Sequence, residues 1–292
     1  MAQIGIVTVL YNSENVLSDF FKSLEEQTYR DFTLYVVDNA STDRSLQRAR
    51  ELADEVSFKC VFFEEKSNWG VAKGNNIGIR AALADGCRYV LLSNNDTRLR
   101  PDTIELLLKG LEEMKADMAV PKIFIYDTDL LWSAGGRFHW LRGSTSHFGS
   151  GQPDGPQYDR RRFVEYSPTC FMLIRSEVFD KVGLMDEKYF VYYDDTDFVF
   201  RAVKRHGLRL AYVPESTMEH NEGSSTGSAH SPFKLRYMNR NARYFCNKNY
   251  TFPKKQLNQL YSYLAYRLKM PRVFTPEQMD IIARARKEGN NL

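Results

Sequence analysis

Short apolar runs alternate with amphipathic stretches along the first hundred residues. The apolar runs are rich in β-branched and aromatic side chains, which is typical of buried parallel strands. They predict strands over residues 4–10, 32–37, 61–64 and 89–92. Apolar residues at helical spacing predict helices over residues 15–26, 45–53 and 70–83. This repeated strand–helix order predicts an α/β fold with a doubly wound, mostly parallel sheet, whose ligands bind beyond the carboxyl ends of the strands.

The second half of the chain is patterned less regularly. Residues 132–162 are rich in Gly, Ser and Arg, and they predict hairpins with a loop over the site. Further strands are predicted over residues 171–174 and 210–213. Helices are predicted within residues 176–182 and 189–206 and, after a Gly/Ser loop at 222–231, from Phe233 onward with breaks at Pro253 and Pro271.

Charge is distributed unevenly along the 292 residues. The formal net charge is only +3, which does not indicate nucleic-acid binding. Residues 231–292 hold 13 basic and three acidic side chains, so the preceding body is acidic and the tail is predicted to meet an anionic surface. Four scattered cysteines predict reduced thiols in a cytoplasmic protein. No apolar run reaches the roughly 18 residues that a membrane-spanning helix needs.

Two polar segments follow predicted strands. Asp38 and Asn39 end the second strand, where a carboxylate can accept hydrogen bonds from a base or ribose; the alternative is a helix-capping turn. In residues 68–78, the side chains of Asn68, Lys73 and Asn75 can face a ribose or phosphate; the alternative is a helix start whose small residues pack closely. The segment lacks the ending of a P-loop, and no Gly-x-Gly-x-x-Gly motif follows the first strand.

The fourth strand ends in Asn94, Asn95 and Asp96, which places oxygen ligands where Mg²⁺ or Mn²⁺ can bridge a diphosphate. A polar turn that caps the next helix is the alternative. His220 lies beside the Gly/Ser loop and is either a surface histidine or a second ligand of that metal.

Three carboxylates lie within four residues at Asp194, Asp195 and Asp197. Such crowding raises the pKa of one member and makes it a better general base. The alternative is that the aspartates stabilise the N-terminus of the following helix.

Taken in order, these motifs resemble the family-two glycosyltransferases of GT-A fold, and most closely their rhamnosyltransferase-like branch. The resemblance covers residues 4–246, with Asn94 in place of the first Asp of the Asp-x-Asp metal motif. It implies a nucleotide site formed by Thr8, Leu10, Asn12, Asp38, Asn39, Asn68, Lys73, Asn75, Asn94 and Asn95. It implies a metal, Mn²⁺ or Mg²⁺, on Asp96 and His220, and a catalytic base at Asp195. Tyr193, Asp194 and Asp197 would contact the acceptor or lie directly behind the residues that do.

The resemblance implies an inverting, metal-dependent enzyme of cell-surface polysaccharide synthesis. Its catalytic domain would cover residues 1–230, with a nucleotide-binding half at 1–100, an acceptor half at 101–230 and a helical extension at 231–292. The donor would be dTDP-rhamnose or a UDP-hexose, and the acceptor a saccharide or lipid-linked saccharide. Pro168, Thr169 and Cys170 depart from the family's Thr-Gly-Ala-like stretch, which leaves the sugar open.

Two other functions remain open from the sequence. A metal-dependent nucleotidyltransferase acting on sugar phosphates also uses an α/β sheet, but it usually carries a Gly-rich basic loop after the first strand, and residues 9–13 form none. A non-catalytic nucleotide-sugar-binding module is the third interpretation. The presence of Asp96, Asp195 and His220 favours an enzyme.

The basic tail contains apolar residues at helical spacing. They are Leu257, Leu260, Tyr261, Leu264 and Leu268, flanked or interleaved by Lys254, Lys255, Arg267, Lys269 and Arg272. Such a helix can lie at the cytoplasmic membrane surface as a peripheral contact. It can equally complete the core of the catalytic domain or pack in a homodimer.

Overall fold

The computed structural model describes residues 3–221 and 230–292. Most of the predicted loop at 222–231 lies outside these residues. The strands are β1 (Ile4–Leu10), β2 (Phe32–Asp38), β3 (Lys59–Glu64), β4 (Tyr89–Ser93), β5 (Thr97–Leu99), β6 (Met118–Ile125), β7 (Leu131–Ser133), β8 (Gly136–His139), β9 (Ser144–His147), β10 (Arg162–Val164), β11 (Phe171–Arg175) and β12 (Leu210–His220). The α-helices are α1 (Leu17–Glu25), α2 (Ser45–Glu55), α3 (Val71–Ala84), α4 (Thr103–Glu113), α5 (Glu177–Val182), α6 (Asp194–Val199), α7 (Pro232–Asn249), α8 (Lys254–Leu268) and α9 (Pro276–Asn290).

One large sheet runs in the order β10-β12-β6-β11-β4-β1-β2-β3. The first four strands pair in parallel, as the repeated strand–helix order predicts. β11 then runs antiparallel to both β4 and β6, whereas β12 is again parallel to β6. The α/β prediction is confirmed, but the second half of the sheet is mixed. The carboxyl ends of β1, β2 and β4 lie side by side, and the polar segments of the sequence follow them.

The central strand β6 has no counterpart among the predicted elements. Its sequence includes Pro121 and Lys122, both unusual for a central strand. The Lys122 side chain is buried, and its ammonium group lies 2.8 Å from Asp154 and 2.5 Å from Asp159. Carboxylates from a distant loop therefore compensate the buried charge, and local hydropathy gives no indication of this pairing.

Apolar side chains fill both faces of the sheet. One core packs α1, α2 and α4 against it, and the other packs α3, α5 and α6. A third, smaller cluster joins α7 to the segment before α6, with Tyr244, Phe245 and Tyr250 packed against Tyr189 and Tyr193. The helical extension thus shares a core with the acceptor half, and the boundary at residue 230 stays a prediction.

Two glycines of α3 bring this helix close to β1. An added Cβ at Gly74 would lie 2.7 Å from a methyl carbon of Val9, and one at Gly78 would lie 2.3 Å from a methyl carbon of Val7. The sequence left open whether the small residues of this segment admit a ligand or allow close packing of the helix. These two glycines serve the packing of α3 on the sheet.

We expect Gly78→Ala to lower the free energy of unfolding by about 1–3 kcal/mol, because overpacking against Val7 outweighs the roughly 1 kcal/mol that alanine gains in helix propensity. Urea denaturation measures the change. Val7→Ala removes the clashing methyl groups, so the double variant should cost less than the sum of the single variants. Additive costs would contradict a steric origin.

Candidate active site

The end of β1 is tied to the end of β2 by hydrogen bonds. The backbone oxygen of Leu10 accepts from the Asn39 amide at 2.9 Å, and the Asn12 side-chain oxygen accepts from the Thr42 amide at 2.8 Å. The side chains of Thr8 and Leu10 are fully buried, so Leu10 shapes this edge through its backbone. The Thr8 hydroxyl finds no hydrogen-bond partner among the described residues.

The two carboxylate oxygens of Asp38 differ in their hydrogen bonds. Its Oδ2 accepts from the backbone amide of Ser41 at 3.2 Å. Its Oδ1 is buried, and within residues 3–221 and 230–292 it has no hydrogen-bond partner. A buried carboxylate oxygen without a donor is costly, so this atom is suited to a donor group on a bound base or sugar.

A network of side-chain amides joins the Asp38 turn to the start of α3. Asn39 donates to the Asn68 side-chain oxygen at 2.9 Å and accepts from the Trp69 amide at 3.0 Å. The same Asn68 oxygen also accepts from the Gly70 amide at 2.9 Å. The side chains of Asn39 and Asn68 therefore shape the nucleotide-side loops, and any ligand contact from these residues is additional to that role.

Lys73, Asn75 and Asn95 occupy different environments. The Lys73 ammonium group lies 3.7 Å from the centre of the half-exposed Trp69 ring, where it remains accessible to an anionic ligand. Asn75 is buried with its amide nitrogen 3.7 Å from the Met185 sulfur. Asn95 donates to the backbone oxygen of Val9 at 2.6 Å. In this geometry Lys73 is the best placed of the three for a phosphate.

Asp96 and His220 meet because β5 pairs with the end of β12. Asp96 Oδ1 lies 3.2 Å from His220 Nε2, and the Asn94 amide nitrogen lies 3.4 Å from the same ring nitrogen. The His220 ring is buried and packs edge-on against Trp132, with centroids 4.6 Å apart. The sequence gives no indication of this contact.

The pair formed by Asp96 and His220 fits a divalent cation that takes its other ligands from phosphates and water. Two ligand atoms at adjacent octahedral positions of Mg²⁺ lie about 3 Å apart, given bonds of about 2.1 Å. The separation of 3.2 Å is compatible with that spacing. Among the described residues, no group of three or more His, Cys, Asp or Glu side chains is arranged to hold a metal.

The three aspartates of α6 differ in accessibility. Asp194 and Asp197 are buried, with 5% and 0% of their surface exposed, whereas Asp195 is partly exposed. One Asp195 oxygen accepts from the Tyr166 hydroxyl at 2.5 Å, and the other accepts from the Thr196 amide at 2.6 Å. Asp195 is therefore the most accessible of these three aspartates, and two donors hold its carboxylate.

Asp194, the buried neighbour of Asp195, has a raised pKa. Burial, reinforced by the negative charge of Asp195, raises the pKa of Asp194 to about 8. One aspartate of the cluster does have a raised pKa, but it is Asp194, and burial contributes more to the shift than the crowding that the sequence suggested. At neutral pH its carboxyl group is largely protonated, which limits the charge that accumulates around Asp195.

Asp197 supports the helix from inside the protein. Its oxygens accept from Arg201, Lys248 and Asn249, each at 2.8 Å. The sequence predicted that Asp197 either contacts the acceptor or lies directly behind the residues that do. Complete burial excludes direct contact, so only the second position agrees with this geometry. Sequence reasoning missed Lys248, since it lies 51 residues away in α7.

The segment that leads into α6 has an unusual backbone. Tyr192 and Tyr193 both adopt positive φ angles, 64° and 68°. Asn241 of α7 donates to the backbone oxygens of Val191 and Tyr192, at 2.8 and 2.9 Å. The hydroxyl of Tyr193 donates to the backbone oxygen of Gly143 at 3.0 Å. Tyr193 is thus buried behind Asp195, where it fixes the turn.

A comparison with protein families identifies the family of this chain. Residues 5–183 match the model of "Glycosyl transferase family 2", which is more than half of the chain. The chain belongs to glycosyltransferase family 2. The nucleotidyltransferase interpretation is thereby excluded, and the resemblance found in the motifs is confirmed. The match covers the nucleotide side of this family 2 enzyme and ends before Asp195 and His220.

Two of the similar proteins are named as rhamnosyltransferases. The chain is 27% identical over 265 residues to the dTDP-rhamnosyl transferase RfbF of Shigella flexneri, covering 85% of this chain and 81% of RfbF. It is 26% identical over 239 residues to the N-acetylglucosaminyl-diphospho-decaprenol L-rhamnosyltransferase of Mycobacterium tuberculosis, covering 76% of this chain and 77% of that enzyme.

Solved structures share the fold at low sequence identity. Residues 1–349 of Staphylococcus aureus TarS, in complex with UDP-GlcNAc, superpose with a TM-score of 0.64 at 16% identity, covering 97% of this chain and 79% of that one. The mannosyltransferase PcManGT of Pyrobaculum calidifontis, in complex with GDP-Man and Mn²⁺, gives a TM-score of 0.60 at 16% identity, covering 97% and 74%. The GT-A fold predicted from the motifs is confirmed.

Sequence reasoning on this family 2 enzyme also missed Tyr166. It lies 29 residues before Asp195, in a stretch without periodicity, and no motif marks it. Burial beside the carboxylate raises the pKa of the Tyr166 hydroxyl well above its ordinary value, so the group stays protonated as a donor to Asp195.

We expect Asp194→Asn to stabilise the protein more at pH 9 than at pH 5. The pKa of Asp194 is raised in the folded state, so its stabilising contribution is full below about pH 4 and is lost as the pH rises through about 8. Asparagine does not ionise, so the variant avoids that loss. Urea denaturation at pH 5, 7 and 9 measures the difference, with the exposed Asp54→Asn as control. A pH-independent difference would contradict the assignment.

Proposed function

We propose that this family 2 glycosyltransferase is inverting and metal-dependent, and that it builds cell-surface polysaccharide. Its donor would be dTDP-rhamnose or a UDP-hexose, and its acceptor a saccharide or lipid-linked saccharide. The observation that carries the proposal is the accessibility of Asp195, which is held by two donors while its neighbouring aspartates are buried. The named activities of the rhamnosyltransferase relatives support the choice of donor.

The chemistry follows from the placement of these residues. Asp195 would accept the proton of an acceptor hydroxyl. The oxygen of that hydroxyl would attack the anomeric carbon from the face opposite the nucleotide. A single displacement of this kind inverts the configuration at that carbon. Tyr166 keeps the carboxylate oriented, and the protonated Asp194 reduces repulsion from a second negative charge.

The nucleotide would lie along the carboxyl ends of β1, β2 and β4. Asp38 would accept from its base or ribose, and Lys73 would approach its phosphates. Asp96 and His220 would hold Mn²⁺ or Mg²⁺, which when bound neutralises negative charge on the departing diphosphate. Asn94 lies beside this pair and is a weaker ligand, since an amide binds a hard cation less well than a carboxylate.

The reaction would take place on the cytoplasmic side of the cell membrane. All four cysteines are free thiols, as in a reducing compartment. No helix within residues 3–221 or 230–292 is long and apolar enough to cross a bilayer. A lipid-linked acceptor would therefore be met at the membrane surface.

We expect Asp195→Asn to lower kcat by a factor of about 10² to 10⁴ while nucleotide binding is retained, because the variant loses the base and keeps the donor site. Tyr166→Phe should lower kcat by about tenfold with little change in the donor KM, since one hydrogen bond to a charged group is lost. Transfer is measured with a panel of nucleotide sugars and binding by calorimetry.

Asp54→Asn, on the exposed surface of α2, is the matched control and should retain full activity. Wild-type turnover in Asp195→Asn would remove this residue from the mechanism. If nucleotide sugars bind but neither transfer nor hydrolysis is found with any donor, the protein is a binding module.

We expect activity to require Mn²⁺ or Mg²⁺ and Asp96→Ala to weaken nucleoside diphosphate binding in the presence of Mn²⁺. Without metal, the variant and the unsubstituted protein should bind the nucleotide with similar affinity, because Asp96 acts through the cation. Calorimetry with and without Mn²⁺ makes the comparison. Full activity in excess EDTA would refute the metal assignment.

A further inference from the structure

Helix α8 is turned so that its apolar face points away from the protein. Its large apolar side chains expose between 45% and 61% of their surface, and they are Leu257, Leu260, Tyr263, Leu264 and Leu268. Three- and four-residue spacing places them on one face of the helix. The sequence predicted such a face with Tyr261 in it, but Tyr261 is only partly exposed and Tyr263 takes its place. The sequence could not decide what covers the face, and no described residue buries these side chains.

The opposite, polar face of α8 contacts the protein. Asn258 is buried, and its amide donates to the backbone oxygen of Leu141 at 3.0 Å. The backbone oxygen of Ser262 accepts from Arg286 of α9 at 3.1 Å. A surface helix normally buries its apolar face, so the reversed orientation marks this face as an interaction surface of the described chain.

Exposed apolar residues continue beyond the helix. Phe252 before α8 and Val273 after it are 80% and 63% exposed. Trp140 and Leu141, in the turn between β8 and β9 that receives Asn258, are also exposed. We call these residues, together with the apolar face of α8, the α8 surface. Trp and Tyr are the side chains enriched where protein meets the membrane interface.

The charges around this surface have one sign. Residues 250–274 contain five basic and no acidic side chains. The basic residues are Lys254, Lys255, Arg267, Lys269 and Arg272. None of them forms an ion pair with a carboxylate of the described chain. Unpaired basic side chains beside apolar and aromatic ones complement a surface that is anionic outside and apolar beneath.

We propose that the α8 surface docks on an anionic lipid membrane. A second copy of this chain fits less well, because twofold pairing of this surface would bring its basic residues against one another. A membrane supplies both missing partners at once, since its headgroups carry the negative charge and its acyl chains cover the leucines.

The docked surface connects to the catalytic segment through the β8–β9 hairpin. The turn of this hairpin carries Trp140 and Leu141, and its Gly143 oxygen accepts from the Tyr193 hydroxyl, two residues before Asp195. The other end of the hairpin reaches His147, whose ring lies 5.9 Å from that of Tyr166. A saccharide on a lipid could thus reach Asp195 from the membrane; this step rests on the proposed function, whereas docking does not.

The experiment is co-sedimentation of the full chain with vesicles of phosphatidylcholine alone or with 30% phosphatidylglycerol, at low and high salt. We expect binding to the anionic vesicles, weakened at high salt. Leu260→Ser/Leu264→Ser and, separately, Lys254→Glu/Lys269→Glu should each reduce the bound fraction at least tenfold. All four side chains lie on the surface, and thermal unfolding verifies that the variants fold.

The matched controls reverse charges or remove an apolar side chain at positions outside the α8 surface. Lys59→Glu/Lys181→Glu alters net charge equally on the body, and Phe163→Ser removes another half-exposed apolar side chain; both should bind vesicles like the unsubstituted protein. Equal sedimentation with neutral and anionic vesicles would overturn the proposal. The proposal would also be overturned if light scattering showed a dimer that does not bind vesicles and that dissociates in Leu260→Ser/Leu264→Ser.

Measurements of sugar transfer distinguish a failure of membrane docking from a failure of the proposed function. With a soluble saccharide acceptor, the α8 variants should transfer sugar at the unsubstituted rate, whereas transfer to an acceptor embedded in anionic vesicles should fall with vesicle binding. Vesicle binding without any transfer would contradict the proposed function and leave docking supported. Transfer that is insensitive to the α8 variants on vesicle-bound acceptor would contradict a role for docking.

Discussion

The structure around the proposed base, Asp195, depends on the buried carboxylate of Asp197. A carboxylate without solvent contact is costly unless charged and polar donors surround it. Arg201 supplies one from the same helical segment, and Lys248 and Asn249 supply two from α7. Because the charge is compensated only when both elements are in place, the helix that carries Asp195 and the C-terminal helix are held together.

The donor side is constructed from different interactions. Neutral amides of Asn39 and Asn68 connect the loops after β2 and before α3, and the Val71 amide donates to the Phe190 oxygen at 2.7 Å. These bonds carry no net charge, and among the described residues Asp38 Oδ1 has no hydrogen-bond partner and the Lys73 ammonium group contacts only the Trp69 ring. The side proposed for the nucleotide is thus held by neutral bonds, whereas the side proposed for the acceptor uses several charges for structure.

The sequence predicted correctly those elements that a local pattern of apolar and polar residues indicates. The bounds of β1 agree with the apolar run, and ordered motifs at strand ends identified Asp38, Asp96, Asp195 and His220 as candidates. It failed where a partner is distant along the chain. β6 contains Lys122, whose carboxylate partners lie 32 and 37 residues away, and Tyr166 contacts Asp195 across 29 residues. The outward orientation of α8 depends on Asn258 finding a distant carbonyl, which no pattern encodes.

The positive φ angles of Tyr192 and Tyr193 have a consequence for how the enzyme is assembled. Two consecutive bulky residues in the left-handed region store conformational strain, about 1–3 kcal/mol for each. Asn241 of α7 and the β8–β9 turn supply the hydrogen bonds that hold this shape. Without α7 the turn before Asp195 would lose the hydrogen bonds from Asn241, and we expect it to relax. Helix α7 is therefore a support of the proposed catalytic residue, and its loss would disturb the turn before Asp195 while leaving in place the strand ends that are proposed to hold the nucleotide.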